Sequence, residues 1–478
     1  TEEIRQLGEL GFMGMMVDPQ YGGSGMDTVS YVLAMEEISK VDASASVCMS
    51  VNNSLVCYGL QQYGTEEQKE YYLPRLATGQ DIPCFALTEP EAGSDAASPR
   101  SRGVVCKGMF DGKEVLGMRL NWRKRYITLA PVATVIGLAF RLFDPDGLLG
   151  GEENIGITCA LIPRDIDGIM IGDRHDPMGV PFQNGPIVGK DVFVPLDFII
   201  GGKDGAGQGW RMLMDCLAAG RSISLPSLSV AAAQMVARTA GAYATVREQF
   251  GLPIGRFEGI EEPLARIGGY TYLMDAARKI TSGAVDAGQK PAVLSAIIKA
   301  YCTDAMRLVV NDGMDIQAGA GICRGPRNIL GRSFTAVPIG ITVEGANILT
   351  RSMIIYGQGA IRAHPFVHDE MEAANAGDVP RFDKALFGHI NLVHSNAVRA
   401  WFLGFTGSRF TRSPVTGPAA PYYRAFNRFS AAFSLLSDAA MATMGGSLKR
   451  REKISGRFAD ALAWLYLGSV TLKRFHDE

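Results

Sequence analysis

CFALTEPEAGSD, residues 84–95, is where the chain changes character. An apolar run ends at Thr88, then the chain turns through Pro90, Ala92 and Gly93 to Ser94 and Asp95. Such a segment presents backbone N–H groups and two hydroxyls in one short loop, which suits the edge of a planar ring and a phosphate. Read alone, it is more simply an ordinary strand-to-turn cap. Upstream, to about Gly79, the text is helical: DTVSYVLAMEEISK and GTEEQKEYYLPRLATG each pair a capping residue with acids nearby. Downstream, to about Gly202, ITCALIP, GIMIG and KDVFVPLDFII are short, β-branched and punctuated by turn residues, the texture of strands. After GGKDGAGQGW helical spacing returns: Val236, Tyr243, Val246 and Phe250 share one face, as do Leu294, Ile298, Tyr301, Ala305 and Leu308. Past DVPRFDKALFGH the chain stays helical to its end. The order is therefore an α+β chain with a helical domain over residues 1–80, a β domain over 81–202, a helical bundle over 203–370 and a helical extension over 371–478.

The 478 residues and 47% hydrophobic content allow about three domains with sizeable cores. A net charge of −2 leaves no global basic field, which argues against a nucleic-acid partner. SLKRREKISGR, from Ser447, reads as a solvated helix face, with a membrane-peripheral role as the alternative. The eight cysteines are scattered without a CxxC pair, which points to reduced thiols in a cytoplasmic setting and away from a disulfide scaffold or zinc ribbon. The run YITLAPVATVIGLAF is too short to span a membrane and carries a proline, so no transmembrane segment is expected. TEEIRQLGEL opens as though in mid-helix, with no basic region before an apolar core, and reads as the start of a fragment without a signal peptide.

Among the motifs, GKDGAGQG lacks the GxGxxG spacing and leads straight into helix, so it reads as a loop. HPFVH spaces His364 and His368 as two ligands on a helix would be, but Pro365 disturbs the turn and no acid lies between them; no metal is expected there. PIGITVEGANILTR, residues 338–351, sets Glu344 among apolar residues with no nearby cation before Arg351. A carboxylate in that setting either faces water or is held in a dry cavity for chemistry. On its own, the water-facing reading is the simpler one.

ALTEPEAGSD closely resembles the flavin-binding signature of the acyl-CoA dehydrogenases. RYITL, DVFVPLDFIIG, VREQFGLPIGRFEG, DIQAGAGICRG and ITVEGAN follow in that family's order and spacing. Residues 84–478 resemble the large bacterial fatty-acid-degradation branch, and residues 1–80 the short-chain or butyryl-CoA branch. The resemblance implies a helical N-terminal domain, a middle β-barrel or sandwich, a C-terminal four-helix bundle and the added helical extension.

It also implies a site. Phe85, Leu87 and Thr88 would contact the flavin of FAD, with Ser94 at the pyrophosphate or the thioester. Tyr126 and Thr128 stand in the family's W-x-T element, Thr128 towards flavin N5. Arg247 and Phe250, joined by Gln317 and Gly321, resemble the group that reaches FAD in a neighbouring subunit, which implies a homodimer or homotetramer. Arg221 matches a residue near bound CoA, and Gly345 lies on the substrate side. The sequence departs from the pattern at Tyr126 (usually Trp), Glu91 (usually Gly) and Ala346 (often Thr), and the family's first helix is missing.

In this family the acid of the EG element is the base, which reverses the reading of Glu344. Ile341 and Val343 are expected to keep it dry and so raise its proton affinity. The implied reaction is α,β-dehydrogenation of acyl-CoA to trans-2-enoyl-CoA, the first step of β-oxidation, with electrons passed to an electron-transferring flavoprotein. An acyl-CoA oxidase and a non-catalytic helical binding module are the alternatives.

Overall fold

A computed structural model describes residues 2–478. The chain opens with helices α1 (Glu2–Glu9), α2 (Thr28–Val41), α3 (Ala43–Ser50), α4 (Tyr58–Tyr63) and α5 (Glu66–Ala77), a π-helical turn at Val51–Cys57 joining α3 to α4. Strands β1 (Pro83–Ala86), β2 (Arg102–Phe110), β3 (Lys113–Thr128), β4 (Val135–Phe143), β5 (Asn154–Pro163), β6 (Ile169–Ile171) and β7 (Asn184–Pro195) follow. Then come α6 (Gly209–Val246), the two-stranded hairpin β8 (Glu248–Gln249) and β9 (Leu252–Pro253), α7 (Glu258–Asp286), α8 (Ala292–Gln317), α9 (Gly319–Ile322) and α10 (Leu330–Thr342). The last elements are α11 (Asn347–Leu349), a π-helical turn at Thr350–Gln358, α12 (Gly359–Ala363), α13 (Val367–Ala376), α14 (Val379–Phe405), α15 (Ala420–Met444) and α16 (Glu452–Asp477).

The chain forms two compact units, the first made of Thr1–Met235, Ser282–Lys290 and Ala318–Gly340. Its strands make one curled sheet in the order β1-β4-β2-β3-β7-β6, with β5 also on β4. β4 pairs in parallel with β1 and β2 and antiparallel with β5, so it is covered on its edges and faces. That explains its near-continuous apolar sequence, VIGLAFRLF, where a half-exposed strand would alternate. Tyr31, Met35, Leu120, Phe140 and Ile162 lie in an apolar cluster that joins the N-terminal helices to the sheet.

Local chemistry sets the helix positions. The Thr65 hydroxyl accepts the Gln68 N–H at 3.2 Å while the Gln68 side chain accepts the Thr65 N–H at 3.1 Å, a capping box that starts α5. The Gln68 amide also donates to the carbonyls of Asp197 and Ile199 at 2.8 and 2.7 Å, fixing α5 against the chain leaving the sheet. Buried Asn52 and Asn53 on the π-helical turn donate to the carbonyls of Met13 and Phe12 at 2.6 and 2.9 Å. GKDGAGQG is a loop with one 3₁₀ turn, as its spacing predicts. α6 is the one helix among the described residues long and apolar enough to cross a membrane, but 69% of that window is buried in the protein, as in a core helix.

The second unit comprises Val236–Thr281, Pro291–Gln317 and Ile341–Glu478. The C-terminal extension is helical and packs within it. Asp460 of α16 accepts from the Tyr301 hydroxyl of α8 and from Arg351 Nε, each at 2.6 Å, and Tyr356 stacks on Phe458 with centroids 4.6 Å apart. Burial opposes ionisation of Asp460, but the hydrogen bonds from Arg351 and Tyr301 outweigh it and hold its carboxyl below the usual range.

The expected faces hold in part. On α8, Ile298 and Ala305 are buried but Leu308 is exposed. Phe250 is not on a helix: α6 ends at Val246, and Phe250 with Gly251 forms the tip of the β8–β9 hairpin, both at positive φ. Such a pair of left-handed residues makes the tight turn that suits a two-residue hairpin.

His364 has a structural part in the fold. Its Nδ1 accepts the N–H groups of Phe366 and Val367, so Nε2 carries the proton and donates to Asp438 at 2.9 Å. With Nδ1 occupied as an acceptor, this ring is a poor metal ligand although His364, His389 and Asp438 come within 4.8 Å of one another. His368, by contrast, sits on the exposed surface 3.6 Å from Glu372.

Candidate active site

In the first unit, β1 delivers Phe85 in parallel register with Gly137 of β4. Beyond Ala86 the chain leaves the sheet as a turn whose course is fixed from below by a buried ion pair. Lys124 Nζ, fully buried on β3, donates to Glu89 Oε1 at 2.8 Å and to the Leu87 carbonyl at 2.9 Å. Glu89 also accepts the N–H groups of Arg100 and Ser101 at 2.7 and 3.1 Å. Burial opposes its ionisation, but these donors outweigh it and keep its carboxyl below the usual range. The Arg125 N–H donates to the Thr88 carbonyl at 2.9 Å, tying the turn to β3 a second time. Above this anchor Thr88 is half-buried and Ser94 exposed, as a loop that grips a ligand needs. Glu91, where the sequence departs from the pattern, points to solvent and pairs with Arg123 at 2.5 Å, clear of the Glu89 anchor.

Tyr126 and Thr128 lie on the last residues of β3, where the register with β7 shifts between Lys124 and Ile127. The bulge puts Tyr126 at φ 60°, in the left-handed region, and Leu129, just past the strand end, lies there too at φ 67°. A bulge re-aims a side chain that a regular strand would fix. Tyr126 is exposed, its ring 5.3 Å from that of His175, with the Arg125 guanidinium 4.7 Å from its centroid. Thr128 pairs with Asn184 across the strands and is half-buried.

Phe85 also lines a small, almost wholly apolar pocket in the same unit, together with Leu55, Tyr63, Leu161, Met212 and Cys216. Arg221 lies farther along α6 and is half-buried. Gly321 is buried in α9.

In the second unit, Glu344 is half-buried in the turn after α10, at φ 56°, with Gly345 at φ 89°. Left-handed backbone is costly for a residue with a Cβ, and such strain clusters at functional sites. The turn is clamped by Lys299 of α8, whose fully buried Nζ donates to the Gly345 carbonyl at 2.7 Å, the Ile341 carbonyl at 3.3 Å and Asn347 Oδ1 at 2.9 Å. Asn347 in turn donates to the Ala300 carbonyl at 3.0 Å and to Thr303 and Asp304 at 2.9 Å. The sequence reading missed Lys299, which lies far upstream in an apolar helix. Val343 does not supply the dry surround expected of it, since it faces outward at 39% exposure, yet the carboxylate oxygen Oε2 of Glu344 is itself buried.

Arg247 is exposed and Phe250, at the hairpin tip, is 95% exposed. Gln317 is buried at the end of α8.

Four family descriptions match the chain in order: the N-terminal domain of acyl-CoA dehydrogenase over residues 1–80, its middle domain over 84–192, its C-terminal domain over 207–357, and the bacterial-type C-terminal region over 361–478. The probable acyl-CoA dehydrogenase YngJ of Bacillus subtilis is 34% identical over 325 residues, 67% of this chain and 80% of that one. The chain belongs to the acyl-CoA dehydrogenase family. Among solved structures, butyryl-CoA dehydrogenase from Megasphaera elsdenii is 29% identical with a TM-score of 0.65, over 75% of this chain and 89% of that one. The acyl-CoA dehydrogenase of Bacillus anthracis complexed with FAD shares the fold over 98% of this chain and 75% of that one, with a TM-score of 0.79 at 23% identity.

Acyl-CoA dehydrogenases are FAD-dependent oxidoreductases. In this acyl-CoA dehydrogenase the donor set fits such a cofactor. The turn after β1 is ordered from beneath and open above, and the β3 bulge turns an aromatic ring outward beside it in the same unit.

Proposed function

We propose that this acyl-CoA dehydrogenase desaturates fatty acyl-CoA thioesters to trans-2-enoyl-CoA, with Glu344 taking the α-proton. The observation that carries this reading is the clamped left-handed turn at Glu344 and Gly345. A base must be held in one orientation to help a carbon acid lose its proton, and the buried Lys299 supplies that rigidity. FAD, when bound, accepts the β-hydrogen as hydride, which no side chain can do.

The remaining residues bind and orient. Phe85, Leu87, Thr88, Ser94, Tyr126 and Thr128 hold the flavin and its phosphates; Arg247, Phe250, Gln317 and Gly321 serve the FAD of a neighbouring subunit in a homodimer or homotetramer. Ser94, Arg221 and Gly345 contact the substrate. The full exposure of Phe250 supports the intersubunit role, since an aromatic ring in water gains by burial against a partner. The apolar pocket beside Phe85 supports an apolar acyl group. The electrons pass to an electron-transferring flavoprotein in cytoplasmic β-oxidation.

Anaerobic stopped-flow mixing with acyl-CoA tests the assignment of the base. Glu344→Gln keeps shape but cannot take a proton, so it should stay yellow and bind substrate while flavin bleaching slows by roughly 10²- to 10⁴-fold. Bleaching near the parent rate would reject Glu344 as the base. Peroxide formed in step with turnover in air, with no response to an electron-transferring flavoprotein, would indicate an oxidase instead.

A further inference from the structure

Helix α14 is apolar on two opposite faces. Ala385, Asn396 and Leu403 are buried, as the inward face of a packed helix should be. On the other side Phe387, Ile390, Val398, Trp401 and Phe405 recur at helical spacing and stand in water. Trp401 is 72% and Phe405 85% exposed, and the two rings stack on each other 6.1 Å apart rather than on the protein. The following loop continues the pattern with Phe410, 75% exposed and 6.1 Å from the ring of Phe402. Contiguous exposed apolar surface of this kind marks a place of contact, because a monomer in water has no use for it.

The charge around this stripe indicates what covers it. From residue 384 to residue 437 the chain carries Lys384, Arg399, Arg409, Arg412, Arg424 and Arg428 and no aspartate or glutamate. Residues 379–478 together carry fourteen lysines and arginines against six acids, in a chain whose net charge is −2. The side chains of Lys384, Arg399, Arg409 and Arg412 are exposed. A self-complementary pairing with a second copy would set these cations against one another. Aromatic rings flanked by cations with no interspersed acid instead match the interface of an anionic bilayer, where the rings enter the headgroup region and the cations meet phosphates.

We propose that the outward face of α14, with the loop that follows it, docks this acyl-CoA dehydrogenase on an anionic lipid surface. The face lies in the C-terminal extension, on residues that the proposed chemistry does not use. Docking there holds the enzyme at a bilayer without a membrane-spanning helix.

The test uses the full-length FAD-loaded protein and sedimentation with vesicles of phosphatidylglycerol and phosphatidylcholine, or of phosphatidylcholine alone. The protein should bind the anionic vesicles, release as salt rises and bind neutral vesicles much more weakly. Trp401→Ser combined with Phe405→Ser should weaken binding at least about tenfold, since each ring removes a large buried apolar area. Flavin reduction by acyl-CoA and the sedimentation mass should stay as in the parent. No binding to either vesicle, or parent-like binding by the double variant, overturns the proposal. A fall in oligomeric mass in the double variant also overturns it, by assigning the face to a second copy. If the double variant is insoluble, Arg399→Glu with Arg409→Glu decides: anionic-vesicle binding must fall for the proposal to stand.

Discussion

The Nζ of Lys299 lies 2.7 Å from the carbonyl oxygen of Gly345, one residue beyond Glu344. A fully buried ammonium is expensive unless its donors are satisfied, and here its acceptors include two backbone carbonyls and an asparagine side chain of one short segment. The lysine therefore acts as a positioning residue for the acid's backbone.

Lys299→Met keeps much of the volume and removes the donors. The orphaned acceptors should lower stability by about 2–4 kcal/mol. The loosened turn should slow flavin reduction at least tenfold with FAD content unchanged. Chemical denaturation and stopped-flow reduction, run on the same preparation, check both effects.

Glu89 gives a pH prediction with a definite sign. Its carboxyl is held below the ordinary range in the fold, so its contribution is complete above the unfolded-state value and is lost as pH falls through the lower folded value. Urea midpoints should thus drop on acidification below about pH 4.5. Glu89→Gln should cost about 3–5 kcal/mol at neutral pH, because it leaves the buried Lys124 charge uncompensated, and should reduce the further loss in acid.

Tyr126 holds φ at 60°, which costs a residue with a Cβ about 1 kcal/mol or more. Tyr126→Gly should relieve that strain and leave the apoprotein's thermal midpoint equal to or above the parent's. FAD should nevertheless dissociate faster, measured by fluorescence of released flavin, because the outward ring is gone.

Phe250→Ala and Arg247→Ala change side chains that stand in solvent, so each chain's own stability should shift by no more than about 0.5 kcal/mol. FAD retention and oligomeric mass should fall together on dilution. A monomeric preparation that keeps stoichiometric FAD would remove these residues from the cofactor site.

The elements that local rules govern are legible in the sequence. The Thr65–Gln68 capping box and the helical extension follow from spacing and composition. Phe250 misleads the periodic reading, since its place on a helical face ignores Gly251, which lets the chain turn into a hairpin. Lys299 is illegible for another reason. In LSAIIKAYC nothing local distinguishes a lysine that snorkels to water from one that is buried, and only the fold brings it to the Gly345 carbonyl. Glu89 is similar: it lies in the quoted signature, but its buried partner Lys124 waits on β3. Val343 shows the opposite error, an apolar residue whose chemistry suggested shelter and whose side chain the fold turns outward.

The ion pair beneath the turn after β1 also bears on how fast the protein can be loaded. A cofactor that must freeze a floppy loop gives up part of its binding free energy to conformational entropy, at roughly 1–2 kcal/mol per residue fixed. Here Lys124 grips Glu89 and the Leu87 carbonyl with hydrogen bonds that lie wholly inside the chain. On the proposed assignment of this turn to FAD, that ordering cost is met at folding, once, rather than at every encounter with the cofactor. Uptake should then be governed by collision and assembly of the chains, and a cell short of flavin would accumulate a folded, receptive apoprotein rather than a misfolded one.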